Sequence, residues 1–246
     1  MLFETLIAQI LAASPVPAPP PSGARCPPDM VLVEGVHHEH VQRLCSDHRA
    51  GHCFAMFPGL IAREPRVTAV RACMDTYEWP NRVGAQPVVM LRFVEAEAEC
   101  AALGKRLCTE FEWELACEGP ETSPWPYGWR HEVGACNADQ PYRPVSEARL
   151  ASRDARVRDA ETRRAWQGEP SGARPRCVSP FGVHDLTGNV EEWVQTSRPE
   201  WAFRSSLKGG YWSKPWAGCR GTNDSHGPQF RFYEVGFRCC KEPSGG

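Results

Sequence analysis

No stretch of this chain reaches the ~20 consecutive apolar residues that a membrane-spanning helix needs, so no span is expected. Nor is there a block of one charge sign: 28 basic and 30 acidic residues are interspersed, for a net charge of −2. A phosphate backbone would find no basic footprint here, which argues against nucleic acid as a partner. Cys-x-x-Cys pairs are missing, which excludes the common zinc frameworks. The D-x-[DN]-x-[DN]-G spacing of helix-loop-helix calcium sites is absent too, and no internal repeat is present.

What the chain has in quantity is cysteine. Twelve in 246 residues are too few to replace a core and more than a reduced cytosolic enzyme carries, so an oxidising compartment is expected. With 41 % apolar residues, one large domain with a real core is the simplest organisation. Residues 1–25 read as a candidate signal peptide and linker: Leu2 to Ala13 is mostly apolar and PVPAPPPSG follows, although no Lys or Arg precedes Arg25 and Glu4 interrupts the run. The domain then occupies 26–246. The protein is expected to be exported, to the periplasm or the extracellular space, and to be a monomer.

Along the domain, Cys26 to Gly35 alternates like a first strand. His37 to Leu60 holds five histidines (His37, His38, His40, His48, His52) with Cys45 and Cys53; it reads as a solvent-exposed segment with one local disulfide rather than a metal cluster. Phe93 to Gly104 has helical spacing and a glycine stop. A second helix opens at Thr109, where Thr109-x-x-Glu112 forms a capping box. Ser146 to Trp166 is dense in Arg, Asp, Glu and Ala, as in an exposed helical insertion. From Leu207 onward Gly, Trp, Phe and Tyr suit short strands and long turns.

The most specific stretch is DLTGNVEEW, Asp185 to Trp193. Asp185 and Glu192 can supply hard oxygen ligands, and Gly188-Asn189 can turn the backbone so that carbonyls converge, as in a calcium loop. An Asn-supported turn before a strand fits the same residues.

Together with GKRLCTEFEWELACEG, PWPYGW, CNAD, KGGYW, CRGT and GFRC, this stretch resembles the formylglycine-generating enzyme, or sulfatase-modifying factor, family over Cys73 to Lys241. The resemblance implies an α+β, loop-rich, disulfide-bonded fold of the C-type-lectin-like kind. It implies bridges Cys100–Cys239 and Cys117–Cys219. For the other eight cysteines, proximity in that framework suggests Cys108–Cys240, Cys136–Cys177, Cys45–Cys53 and Cys26–Cys73, out of 105 pairings.

The family's copper(I) is held by two thiolates between the GG motif and the bridging cysteine. Here that interval is Tyr211 to Gly218 and contains no cysteine; copper is therefore not expected, and no catalytic residue is assigned. The HxxxHxE arrangement of iron-dependent relatives is absent as well, since Cys53 and Phe54 follow His48 and His52. The family's calcium ligands, in contrast, fall on Asp185, Gly188, Val190 and Glu192, with a second site beginning at Asn137 and the Ala138 carbonyl. Calcium is the expected cofactor.

These residues lead to a divergent, calcium-stabilised binding or structural module that has lost the oxidase chemistry and recognises an unidentified protein or peptide. Tyr211, Trp212, Lys214 and His226 would line its groove, and Trp216, Phe230, Phe232 and Tyr233 could extend it, although core packing suits most of that aromatic run. The alternative is an oxidoreductase, either the same oxidase with metal ligands recruited elsewhere, such as Cys45 or Cys53, or a different metal-dependent oxidase using histidines such as His226. Calcium-dependent sugar binding ranks below both, because the Glu-Pro-Asn and Gln-Pro-Asp tripeptides of lectins are missing.

Overall fold

The computed structural model of the protein describes residues 25–245; the candidate signal peptide and most of its linker lie outside them. Among the described residues, three small sheets and four helices make an α+β architecture with much loop. β1 (Met30–His38), β4 (Val67–Asp75), β10 (Cys239–Lys241) and β5 (Arg106–Leu107) form a sheet in the order β1-β4-β10-β5. β2 (Val41–Arg49) and β3 (His52–Arg63) form a two-stranded sheet of their own, with one isolated bridge from Ala55 of β3 to Arg130. β8 (Thr222–Asn223), β7 (Ser205–Lys208), β6 (Glu191–Gln195) and β9 (Val235–Phe237) form the third sheet, in which β6 and β9 run parallel.

The His-rich segment is thus more regular than its sequence suggests: it builds most of a two-stranded ribbon, closed near its tip by Cys45–Cys53. Nor is it exposed throughout, because His37, at the end of β1, is fully buried.

Helix α1 (Phe93–Ala102) stops before Gly104, which sits at φ +64°. Helix α2 (Glu110–Glu118) starts as its capping box dictates: Glu112 N–H donates to Thr109 Oγ1, and Thr109 N–H donates to Glu112 Oε2 at 2.7 Å. All nine α2 residues are buried, because the helix packs between β1 and β4 on one side and β6 and β7 on the other. Its Phe111, Trp113 and Leu115 join Val33, Met74 and Val194 in one core cluster, while Phe93 of α1 meets Trp193, Leu207 and Phe237 in a second. Helices α3 (Glu147–Leu150) and α4 (Ala155–Ala165) form the charged insertion and bury Leu150, Glu161 and Ala165. Among the described residues no helix is long and apolar enough to cross a membrane.

Six bridges pair all twelve cysteines: Cys26–Cys73, Cys45–Cys53, Cys100–Cys239, Cys108–Cys240, Cys117–Cys219 and Cys136–Cys177. Three of them close separations of 139, 132 and 102 residues, each worth about 5 kcal/mol in the chain-entropy view before strain. Cys239 and Cys240 are neighbours on β10, so their side chains point to opposite faces of the strand. One ties down α1, and the other ties down the residue that follows β5.

Candidate functional site

The turn before β6 is a buried knot. Asp185, Gly188 and Asn189 all adopt positive φ (61°, 76° and 54°), a conformation open to glycine and tolerated by Asx residues. A Cβ on Gly188 would stand 2.3 Å from the Asn137 carbonyl oxygen, so only glycine fits against that backbone. The CNAD and DLTGNVEEW segments therefore meet here, which places Asn137 and Ala138 beside the Asp185 loop.

Asn189 organises the contact. Its N–H donates to Asn137 O at 2.7 Å, its Oδ1 accepts from Asn137 Nδ2 and from Glu169 N–H, and its Nδ2 donates to both carboxylate oxygens of Glu78 at 3.1 and 2.8 Å. Glu78 is fully buried and also accepts from Ser171 Oγ at 2.9 Å. Asp185 Oδ2 accepts from Gly172 N–H at 2.7 Å. Glu192 accepts from Trp113 Nε1 (2.9 Å) and is gripped at both oxygens by the fully buried guanidinium of Arg238 (2.7 and 2.6 Å).

The charges of this knot do not balance. Glu78, Asp185 and Glu192 face one cation, Arg238. Burial, aided by the neighbouring charges of Asp185 and Glu192, pushes the Glu78 carboxyl well above its usual range. Burial likewise outweighs the Gly172 N–H and Arg238 at Asp185 and takes it up to about 6. Glu78 escaped the sequence reading because a lone glutamate in YEWP carries no local pattern. Arg238 was visible in GFRC, but its partner was not.

The donor chemistry of the knot suits a hard divalent cation, since two carboxylates remain unmatched by positive charge and the Gly188 and Val190 carbonyls belong to the same turn. Glu192 can contribute only through Oε1, because Oε2 already takes two donors. Among the described residues, no three His, Cys, Asp or Glu side chains converge on one point, so such a site would lean on backbone carbonyls.

A groove lies on the other side of β6. A cavity of about 660 Å³ is lined by Leu150, Glu191, Lys214, His226, Phe230 and Glu234, among others. A second, of about 300 Å³, shares Glu191, Lys214 and Asn223 with it, so the ion pair Lys214 Nζ to Glu191 Oε1, at 3.0 Å, divides two compartments. Lys214 lies over the Tyr211 ring at 4.7 Å, and the His226 ring stacks on Phe230 with centroids 3.7 Å apart. Burial and the charges of Glu234 and Glu191 push Tyr211 up to about 12.

Lys214 and His226 line the larger cavity, and Tyr211 lies beneath Lys214. Trp212 does neither: only 1 % exposed, it packs with Tyr233, Trp166 and Val190 in a third core cluster. Glu191 and Glu234 were missed. Both sit beside recognisable motifs, but nothing in the spacing distinguishes them from solvated acids.

On α2, three acids spaced by four residues meet a set of bases. Glu114 binds His37 Nε2 (2.7 Å), Lys208 (2.6 Å) and Arg220 (2.8 Å). Glu118 binds Arg43 and Arg220, and Glu110 binds Arg198 at 3.2 Å and Lys208 at 3.5 Å. His37 is therefore held in the interior by the hydrogen bond between its Nε2 and Glu114.

The profile of the sulfatase-modifying factor enzyme 1-like domain matches residues 63–243 of this chain. Hercynine oxygenase of Mycolicibacterium smegmatis is 32 % identical over 118 residues, 48 % of this chain and 23 % of that protein. Inactive C-alpha-formylglycine-generating enzyme 2 of Mus musculus is 29 % identical over 162 residues, 62 % of this chain and 48 % of that protein. Formylglycine-generating enzyme of Mycobacterium tuberculosis is 31 % identical over 117 residues, 47 % and 35 % of the two chains. The chain spans less than half the length of each of these relatives. Among solved structures, PvdO from Pseudomonas aeruginosa superposes with a TM-score of 0.56 at 18 % identity, covering 87 % of this chain and 94 % of that one. CarF does so at 0.54 and 14 %, covering 88 % and 98 %. These two likenesses establish the C-type-lectin-like α+β fold and nothing about activity.

Proposed function

The chain belongs to the sulfatase-modifying factor enzyme 1-like domain family, and from that premise we propose that it is an exported member without copper oxidase chemistry, a binding module that uses the groove at Lys214. One observation carries this reading. All twelve cysteines are committed to bridges, so no thiolate pair is available for copper(I). The stretch Tyr211 to Gly218 holds Lys214, whose ammonium cannot take its place. Cys45 and Cys53, the alternative ligands, are bonded to each other. The mouse relative carries "inactive" in its own name, which fits a family that keeps its framework after losing its chemistry. Six bridges also fit an oxidising compartment.

Calcium belongs to the same proposal as a structural ion. Asp185, Glu192 through Oε1, and the Gly188 and Val190 carbonyls would hold it, with Asn137 and Ala138 behind the turn. When bound, it would supply the positive charge that the knot lacks and couple loop order to ion binding. No chemistry on a ligand is assigned to it.

The test is a thiol titration of the denatured, unreduced protein together with analysis for copper, iron and calcium. No free thiol, with calcium as the bound metal, is the expected result. Two reactive thiols with stoichiometric copper would overturn the proposal and restore the oxidase.

A further inference from the structure

The charges of the α2 cluster do not balance either, and there the surplus is positive. Four permanent cations, Arg43, Arg198, Lys208 and Arg220, are packed against three acids, Glu110, Glu114 and Glu118. The cluster opens onto a cavity of about 380 Å³, whose wall includes Arg43, Arg198, Arg220, Val41 and Trp201. Arg220 has no donor to spare, because its nitrogens already serve Glu118, Glu114 and the carbonyls of His38 and Glu39. Arg198 is different. Its Nε donates to Glu110 Oε1 at 3.2 Å, while its Nη2 stands 3.9 Å from Glu114 Oε2, beyond hydrogen-bond reach, and its Nη1 meets no acceptor among the described residues. Both Nη atoms keep contact with solvent, the side chain being 14 % exposed. The guanidinium is nonetheless held in place, 5.5 Å from the centre of the Phe111 ring and 5.3 Å from that of Trp201. It therefore presents a fixed edge of parallel N–H donors, the fork that a carboxylate accepts. Arg43 Nη1, on the same wall, is without an acceptor too.

We propose that this cavity is a second binding site, one that takes a small monocarboxylic acid with a flat aromatic body. Its carboxylate accepts from Arg198 Nη1 and Nη2, and its ring lies along Trp201 and Val41. One surplus cation suits one negative charge. A dianion such as phosphate suits the cavity less, because Glu39, Glu114 and Glu200 line it as well. Of these, Glu114 is taken up by His37, Lys208 and Arg220, and Glu39 by Arg66 at 3.6 Å. Glu200, the exposed one, is the acid that opposes the ligand's charge. The site is separate from the groove at Lys214, which lies on other walls.

Isothermal titration of the unreduced full chain with benzoate, benzamide and benzamidine at about pH 8 tests this. The three probes are nearly the same shape, and their heads are negative, neutral and positive. Benzoate is expected to bind at least tenfold more tightly than either of the others. Arg198→Lys keeps a charge beside Glu110 but loses the fork, and should weaken benzoate about tenfold. Glu200→Gln should tighten it about threefold, a gain that cannot come from misfolding. Lys214→Met should leave it unchanged. Equal binding of the three probes, full affinity in Arg198→Lys, or a weakening by Glu200→Gln would overturn the site. Loss of benzoate in Lys214→Met would do so too, by moving the acid to the other groove. No heat from benzoate up to about 20 mM would leave no site of useful affinity and overturn the proposal outright.

Discussion

Two buried clusters of charge, one on α2 and one before β6, are built on opposite plans. On α2, Glu110, Glu114 and Glu118 are met by His37, Arg43, Arg198, Lys208 and Arg220. Burial opposes the Glu114 charge there, yet Lys208, His37 and Arg220 outweigh it and hold the carboxyl well below its usual range. In the knot before β6, Glu78, Asp185 and Glu192 share Arg238, and burial wins: Glu78 is driven well upward and Asp185 to about 6. The difference shows that burial alone does not set the state of a carboxylate. The count of cations within reach does, and a cluster short of them is open to a proton or a metal ion.

The largest effect should come from worsening the imbalance. Arg238→Met removes the one cation of the knot and is expected to cost about 5 kcal/mol in urea unfolding, with Glu192→Gln in the same chain restoring much of it. No rescue would mean that Arg238 matters for its shape rather than its charge. Unbalancing the other cluster should cost less. Lys208→Met leaves Arg198 and Arg220 beside Glu110 and Glu114, so a loss of about 3 kcal/mol is expected.

The smallest effect has the opposite sign. Asp185 titrates near 6 when folded, above its ordinary 3.8, so ionising it opposes folding. The penalty is absent below the unfolded value near 3.8 and fully developed above about 6. In EDTA, Asp185→Asn should therefore stabilise the protein by about 2 kcal/mol at pH 8 and by almost nothing near pH 3.5. Calcium should reverse the order, raising the Tm of the parent chain and leaving that of the variant unmoved. A destabilised variant in EDTA would show that Asp185 is not short of a cation.

The sequence was most legible where structure is set by neighbours. The Thr109–Glu112 box needs only four residues, and it fixes the start of α2. The Asp185 loop was recognisable because its turn requires Gly188 and Asn189. Glu78 lies more than a hundred residues from Asp185, and the fold alone brings them together. The β2–β3 ribbon was missed for a different reason: its strands form a sheet of their own and, of their apolar side chains, only Ala55 is fully buried, so they need no alternating apolar face. Trp212 was placed in the groove because aromatic content does not reveal which way a side chain turns after two glycines.

The bridges also set an order of assembly. Cys26–Cys73 and Cys45–Cys53 can close while the chain is still emerging, since both partners lie in its first third. Cys100, Cys108 and Cys117 must wait for Cys239, Cys240 and Cys219. The strand that carries two of those late cysteines, β10, inserts between β4 and β5 rather than at an edge. The sheet of β1, β4, β10 and β5 is therefore completed only after the other three strands have been made, and until β10 arrives Cys100 and Cys108 stand without their partners.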